Sequence, residues 1–293
     1  MLKLQGSMTA LATPFRNGAL DEAAFRAHCK HQIENGTSVL VPMGTTGEAV
    51  TCTAEERARA IRIAVEDARG KAKVLGGCGT NNTAEVIVAL KAVRDAGADG
   101  ALVVTPYYNR PTQDGLVAHY RALAQAHPGF PLVAYNVPSR TGTDLLPETC
   151  ARLCELPEVV GLKEATGSMA RAVDIIERCG DRLQLISGDD FTIAPFIAVG
   201  GLGVISVSSN VAPRMVADLV DAALAGQRTR AMGLQLKLNP LHRLLFSEAS
   251  PTPVKAALVL QGRFVDEVRL PLLPMSEGGR AKLQAVLREL GLL

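Results

Sequence analysis

The chain has 293 residues, 47% of them hydrophobic and 20% charged, a balance that fits a globular protein with a sizeable core and excludes a disordered one. Its 31 basic and 29 acidic side chains leave a formal net charge of +2, aromatic residues make up 4%, and tryptophan is absent. With no basic block along the chain, neither a nucleic-acid nor a membrane-surface partner is suggested.

In chain order, short apolar runs alternate with longer amphipathic ones. The first predicted strand covers residues 8–12, and Asp21 then caps a helix that reaches Asn35 and stops at Gly36. A second strand over 39–41 leads into Gly44-Thr45-Thr46-Gly47-Glu48, and Thr53 opens a helix with Glu55 and Glu56 in its first turn. Strands over 74–77 and 101–104 follow, with helices opened by Thr83 and Gln113. The fifth strand, 131–135, ends at Tyr135, and the sixth, 159–163, ends at Lys163 ahead of a helix opened by Ser168. The seventh, 183–187, leads to Gly188-Asp189-Asp190, and the eighth, 203–207, to Ser208-Ser209-Asn210, with Asn210 opening the next helix.

Apolar runs of this length fit strands buried on both faces of a parallel sheet. Eight strand–helix units predict an α/β fold, a closed (β/α)8 TIM barrel over residues 1–225. An open doubly wound sheet is the competitor, but no G-x-G-x-x-G follows the first strand. Residues 227–246, 252–262 and 277–291 predict helices punctuated by Pro240, Pro251, Pro253, Pro271 and Pro274. They make a C-terminal helical region, 226–293, packed on the barrel.

The cysteines, Cys29, Cys52, Cys78, Cys150, Cys154 and Cys179, contain no C-x-x-C pair, and the amino terminus lacks a signal-peptide pattern. They read as small core residues in a reducing compartment, and a cytoplasmic location is expected. No apolar stretch reaches the ~20 residues that span a bilayer. The histidines, His28, His31, His119, His127 and His242, avoid predicted strand ends and read as exposed helix or loop residues, not metal ligands. Asp189 and Asp190 are adjacent, so their carboxylates point apart. No G-x-S-x-G elbow or Walker loop is present.

In a barrel the active site lies at the carboxyl ends of the strands, and the polar, glycine-rich clusters fall there. Lys163 is the most informative residue, because lysine rarely ends a buried strand. Apolar surroundings favour its neutral amine, which attacks a ketone to form an imine. The alternative is a lysine neutralised by Glu164, although alternation along the strand turns Glu164 to the other face. Tyr135 ends the adjacent strand and offers a phenol for proton transfer. The Gly-Thr-Thr-Gly turn offers backbone N–H groups and two hydroxyls suited to a small carboxylate. Arg140 offers a bidentate fork for a second one.

Six motifs, GTTGE at 44–48, TPYYNRP at 105–111, YNVPSRTG at 135–142, GLKEATG at 161–167, SGDD at 187–190 and GVISV at 203–207, together resemble the dihydrodipicolinate synthase/N-acetylneuraminate lyase superfamily over nearly the whole chain. Thr46, Tyr108, Tyr135 and Arg140 resemble its dihydrodipicolinate synthase branch. The resemblance implies a Schiff base between Lys163 and pyruvate, with Thr45 and Thr46 on the pyruvate carboxylate. It implies a proton relay of Thr46, Tyr135 and Tyr108, the last reaching in from a neighbouring subunit. Arg140 would bind L-aspartate 4-semialdehyde, with Gly188 and the Ile205 carbonyl close to the site. The family implies a homotetramer built as a dimer of dimers and no metal or organic cofactor, since the iminium is the electron sink.

The family's allosteric lysine site is matched in part, by Asn81, Glu85 and Tyr107. Ala49, Ala54 and Arg57 stand where lysine-sensitive Gram-negative members carry Ser, His and His. Arg57 opposes a cationic effector, so lysine inhibition is expected to be weak or absent. Another pyruvate-dependent aldolase of the superfamily shares Lys163, Tyr135 and the GTTGE loop, and Tyr108 with Arg140 argues against it. A barrel that binds ketoacids without catalysis is the reading from a different class.

Overall fold

The computed structural model describes residues 2–293. Among them, eight parallel strands close a barrel: β1 (Gly6–Ala10), β2 (Val39–Val41), β3 (Lys73–Gly77), β4 (Gly100–Val104), β5 (Leu132–Asn136), β6 (Val159–Glu164), β7 (Gln184–Ser187) and β8 (Gly203–Ser206). Each pairs with its sequence neighbours, and β1 closes the ring on β8. Both faces are apolar because both are covered. Met8, Leu75, Val133, Ile186 and Ile205 fill the barrel, while Leu40, Ala101, Leu162 and Leu185 meet the surrounding helices. The helix signals hold where a side chain meets the backbone. Asp21 accepts from the Ala24 amide, Thr53 and Glu56 form a reciprocal capping box, and Ser168 accepts from the Arg171 amide.

Three expectations need correction, and one element lies outside them: the chain makes a small hairpin, Phe15–Arg16 with Ala19–Leu20, turned by Asn17 and Gly18 at φ of 55° and 79°. Asn210 opens no helix. Its side chain instead binds the Ala12 amide and the Ala10 and Val207 carbonyls, where β1 leaves the barrel, and the following helix is Pro213–Leu224. Pro240 lies inside the helix Arg228–Leu245, not at its edge. Burial of Leu238, Leu241 and Leu245 along that helix offsets the missing N–H.

Finally, His28, His119, His127 and His242 are buried rather than exposed. Each satisfies one ring nitrogen, on Asn210 Oδ1, Thr83 Oγ1, the Ile87 carbonyl and Ser208 Oγ respectively. A neutral imidazole with one bonded nitrogen is a tolerable core residue.

Burial pulls His28 and His119 down from the ordinary 6.5 to about 4. The unfolded chain therefore binds protons that the native one refuses, and stability present above pH 6.5 is lost as the pH falls toward 4. Each histidine contributes a loss of about 2 kcal/mol by pH 5. The melting temperature is expected to drop by several degrees from pH 7 to pH 5, with a smaller drop in a His28→Gln variant. A melting temperature level over that interval contradicts this account.

The C-terminal helices Arg228–Leu245, Thr252–Leu260 and Glu277–Glu289 follow as expected. Their apolar faces join Ile193, Val216 and Val220 in one cluster, so a shared core crosses the 225/226 boundary. All six cysteines are free, five of them buried. Among the described residues, no helix is long and apolar enough to cross a membrane.

Candidate active site

The register of β5 on β6 sets Tyr135 directly beside Lys163 and Asn136 beside Glu164. Lys163 is 5% exposed, and its Nζ lies 4.2 Å from the centre of the Tyr135 ring. Glu164, the carboxylate nearest in sequence, faces the other side of β6 and is fully engaged there. It accepts from Arg171 Nε at 2.9 Å, Asn136 Nδ2 at 3.0 Å and the Thr166 amide at 2.8 Å. Arg171 also reaches Asp144 and the Leu145 carbonyl. This network pins the back of β6, and among the described residues it leaves the Lys163 amine without a carboxylate partner. Arg171 carries no signal in the sequence beyond its place one turn into a helix.

Gly188 begins the turn after β7. A Cβ built there would lie 2.7 Å from Ala165 Cβ and 3.0 Å from Lys163 Cε. Only glycine leaves room for the lysine stem. Ile205 lies inside the barrel, in the same cluster as Tyr135 and Ile186.

From Tyr135 a cleft of about 350 Å³ runs outward past Thr45, Tyr107, Val137 and Arg140 to the C-terminal residues Pro251 and Leu272. Its inner wall is the Gly44–Glu48 loop. Gly77 at the end of β3 makes that loop possible, because a Cβ there would sit 2.0 Å from the Met43 carbonyl oxygen. The loop is held by its backbone: the Gly47 amide donates to Gly44, the Glu48 amide to Thr45, and Thr13 Oγ1 to the Gly47 carbonyl. Met43 and Glu48, neither of them glycine, sit at φ of 60° and 52°, local strain of the kind that clusters at functional sites. The two hydroxyls take no part in folding the loop. Thr45 is exposed on the cleft wall, whereas Thr46 is buried behind it.

Two buried cysteines lie nearby, and burial disfavours the thiolate of each. Burial pushes the Cys78 thiol up to about 12 and that of Cys52 to about 11. Asp190 is buried and accepts from the Val207 and Ser208 amides, while Asp189 accepts from Thr192. Among the described residues no His, Cys, Asp and Glu side chains cluster as metal ligands would.

Tyr108 does not join the cleft of its own chain. It is 88% exposed at φ 71°, on a rim tied down by Asn109 bonding to the Asn81 carbonyl and Arg110 to the Gly142 carbonyl. Of the three residues matched to an effector site, Tyr107 and Asn81 stay together, with Thr80 Oγ1 3.4 Å from Tyr107 Oη and 3.3 Å from Asn81 Oδ1, while Glu85 lines a second, largely apolar hollow with Ala54 and Arg57. Ala49 belongs to the first cleft.

The profile of the Dihydrodipicolinate synthetase family matches residues 3–290. The chain is 52% identical to the 4-hydroxy-tetrahydrodipicolinate synthase of Anaeromyxobacter sp. (strain Fw109-5), over 100% of this chain and 99% of that one. Its fold is similar to the crystal structure of dihydrodipicolinate synthase from Aquifex aeolicus, with TM-score 0.96 and 42% identity, covering 99% of each chain. It is equally similar to the chloride-inhibited dihydrodipicolinate synthase from Acinetobacter baumannii complexed with pyruvate, with TM-score 0.97 and 40% identity over 99% of this chain and 100% of the other.

Proposed function

The chain belongs to the dihydrodipicolinate synthetase family, and from that membership we infer that it condenses pyruvate with L-aspartate 4-semialdehyde to 4-hydroxy-tetrahydrodipicolinate, in the branch that leads to diaminopimelate and lysine. It is a Schiff-base lyase on a TIM barrel. The observation that carries the chemistry is the Lys163 amine, buried at the barrel mouth beside the Tyr135 ring and, among the described residues, without a carboxylate partner.

In this reading Lys163 Nζ attacks the pyruvate ketone, and water leaves as the imine forms. A methyl proton is lost, giving an enamine whose carbon adds to the aldehyde. The amine of the adduct then displaces Lys163 from the imine carbon, which closes the ring and frees the enzyme. Tyr135 transfers protons at the carbinolamine oxygen as water leaves and at the methyl carbon as the enamine forms. Thr45 and Thr46 bind the pyruvate carboxylate through the Gly44–Glu48 turn. The resemblance assigns the relay threonine to Thr46, but Thr46 is buried and Thr45 is exposed on the cleft, which favours the Thr45 hydroxyl for that role. Arg140, which lines the same cleft, binds the carboxylate of the aldehyde.

Tyr108 supplies the outer relay hydroxyl to a second copy of the chain. Its exposure and strained backbone support that role, as do Val50 and Val88, 82% and 71% exposed. The enzyme works as a cytoplasmic homotetramer, a dimer of dimers. Arg57 in the Glu85 hollow makes it a poor receptor for lysine.

Borohydride reduction with pyruvate should add one pyruvate-derived mass at Lys163, and the purified tetramer should turn over aspartate semialdehyde faster than sugar aldehydes. Millimolar lysine should leave that rate nearly unchanged. A preference for a sugar aldehyde would move the chain to another aldolase activity, no adduct would leave only ketoacid binding, and half-inhibition below 1 mM lysine (roughly 4 kcal/mol of binding) would refute the effector reading.

A further inference from the structure

The Gly44–Glu48 loop is fastened from far away in the sequence. Glu48 ends it in a left-handed conformation with its carboxylate almost sealed from solvent, 1% exposed. One oxygen accepts from Lys255 Nζ at 2.6 Å, and Lys255 is itself 2% exposed and lies 4.3 Å from the Phe15 ring centre. The other oxygen accepts from the Arg269 backbone amide at 3.0 Å. The Arg269 guanidinium covers the same Phe15 ring at 4.0 Å and donates to the Thr51 carbonyl at 2.8 Å. Lys255 sits in the helix Thr252–Leu260, directly after the cleft residues Ser250 and Pro251, and Arg269 just precedes the cleft residues Pro271 and Leu272.

A lone Lys–Glu pair in the interior recovers its desolvation cost poorly and is a weak source of stability. A buried pair fixes geometry best when both carboxylate oxygens have partners, as both Glu48 oxygens have here. We propose that Glu48, gripped by Lys255 and the Arg269 amide, is a positioning residue that sets the Thr45–Thr46 turn against Lys163, so that the C-terminal helical region forms part of the pyruvate site. The proposal rests on the Schiff-base reading above. Without the grip the turn relaxes from its strained backbone, the carboxylate receptor loosens, and imine formation slows. Binding of the aldehyde at Arg140, which makes no contact with the clamp, changes little.

The test compares the parent, Glu48→Gln, and the double variant Glu48→Gln/Lys255→Met, in which no buried charge is left unpaired. The parent must give the borohydride-trapped pyruvate adduct at Lys163; its absence there condemns the underlying reading and not the clamp. Given that adduct, Glu48→Gln is expected to raise the pyruvate KM and slow adduct formation by tenfold or more, with the aldehyde KM within twofold. The double variant should recover the parent melting temperature while keeping the raised pyruvate KM. If it recovers pyruvate kinetics together with stability, or if both substrates are affected alike, the pair is merely structural and the proposal fails. If Glu48→Gln does not fold, the double variant decides by the same kinetic split.

Discussion

Lys163→Ala is expected to yield a folded barrel that gives no borohydride-trapped pyruvate adduct and has lost at least on the order of 10³-fold in kcat. The fold should tolerate the change. The amine has no ion pair to lose, the strand hydrogen bonds of β6 are made by backbone, and the back of the strand is pinned by Glu164 and Arg171. What disappears is stem packing against Gly188 and the contact with the Tyr135 ring. Circular dichroism and melting should therefore stay near the parent while activity collapses. Turnover of pyruvate by Lys163→Ala at the parental rate contradicts covalent catalysis by this amine, whatever the barrel looks like.

Much of this site was legible in the sequence because it depends on strand ends. A buried β-branched run fixes the face of each of its residues, so Val159-Val160-Gly161-Leu162 ahead of Lys163 placed the amine at the barrel rim. The alternation likewise put Glu164 on the opposite face, where it meets Arg171. The same logic does not reach groups whose position depends on partners. Asn17-Gly18 is the dipeptide that favours a tight hairpin, yet the strands it joins are two residues each and carry no periodic signal.

Four histidines looked like surface residues because polarity was judged one residue at a time. Burial became tolerable only through bonds to groups far along the chain, such as Asn210 for His28, 182 residues away. Lys255 did carry a sign of its role, being the one charge in the apolar helical run TPVKAALVL, since a fully buried lysine requires a partner. Its partner, 207 residues earlier, could not be read from spacing. Thr45 and Thr46 are adjacent and chemically equal in the sequence. Which of them faces the cleft depends on how the turn ahead of the left-handed Glu48 is folded, a tertiary matter that spacing does not carry.

That dependence of chemistry on packing is sharpest at Gly188. Alanine there brings its Cβ to 2.7 Å from Ala165 Cβ and to 3.0 and 3.1 Å from Lys163 Cε and Cγ. Backbone adjustment is resisted, because the Gly188 amide donates to the Glu164 carbonyl at 2.7 Å and so holds the turn to β6. Ala165 has no rotamer to yield with. The lysine stem is the part that moves, and it moves away from the position that the Tyr135 ring defines. A displacement near 1 Å at a reacting group costs on the order of 10²-fold in rate, and overpacking costs about 1–3 kcal/mol of stability.

Gly188→Ala is thus expected to form the pyruvate adduct on the same residue, about two orders of magnitude more slowly, with a moderately lower melting temperature. Gly233→Ala is the control: it lies in the helix Arg228–Leu245 with nothing within 4 Å of the added methyl, and it should gain up to about 1 kcal/mol of stability with unchanged kinetics. If Gly188→Ala matches that control in rate, the space at this glycine does not hold the Lys163 amine in place, and the position of Nζ must be set by the β5–β6 register alone.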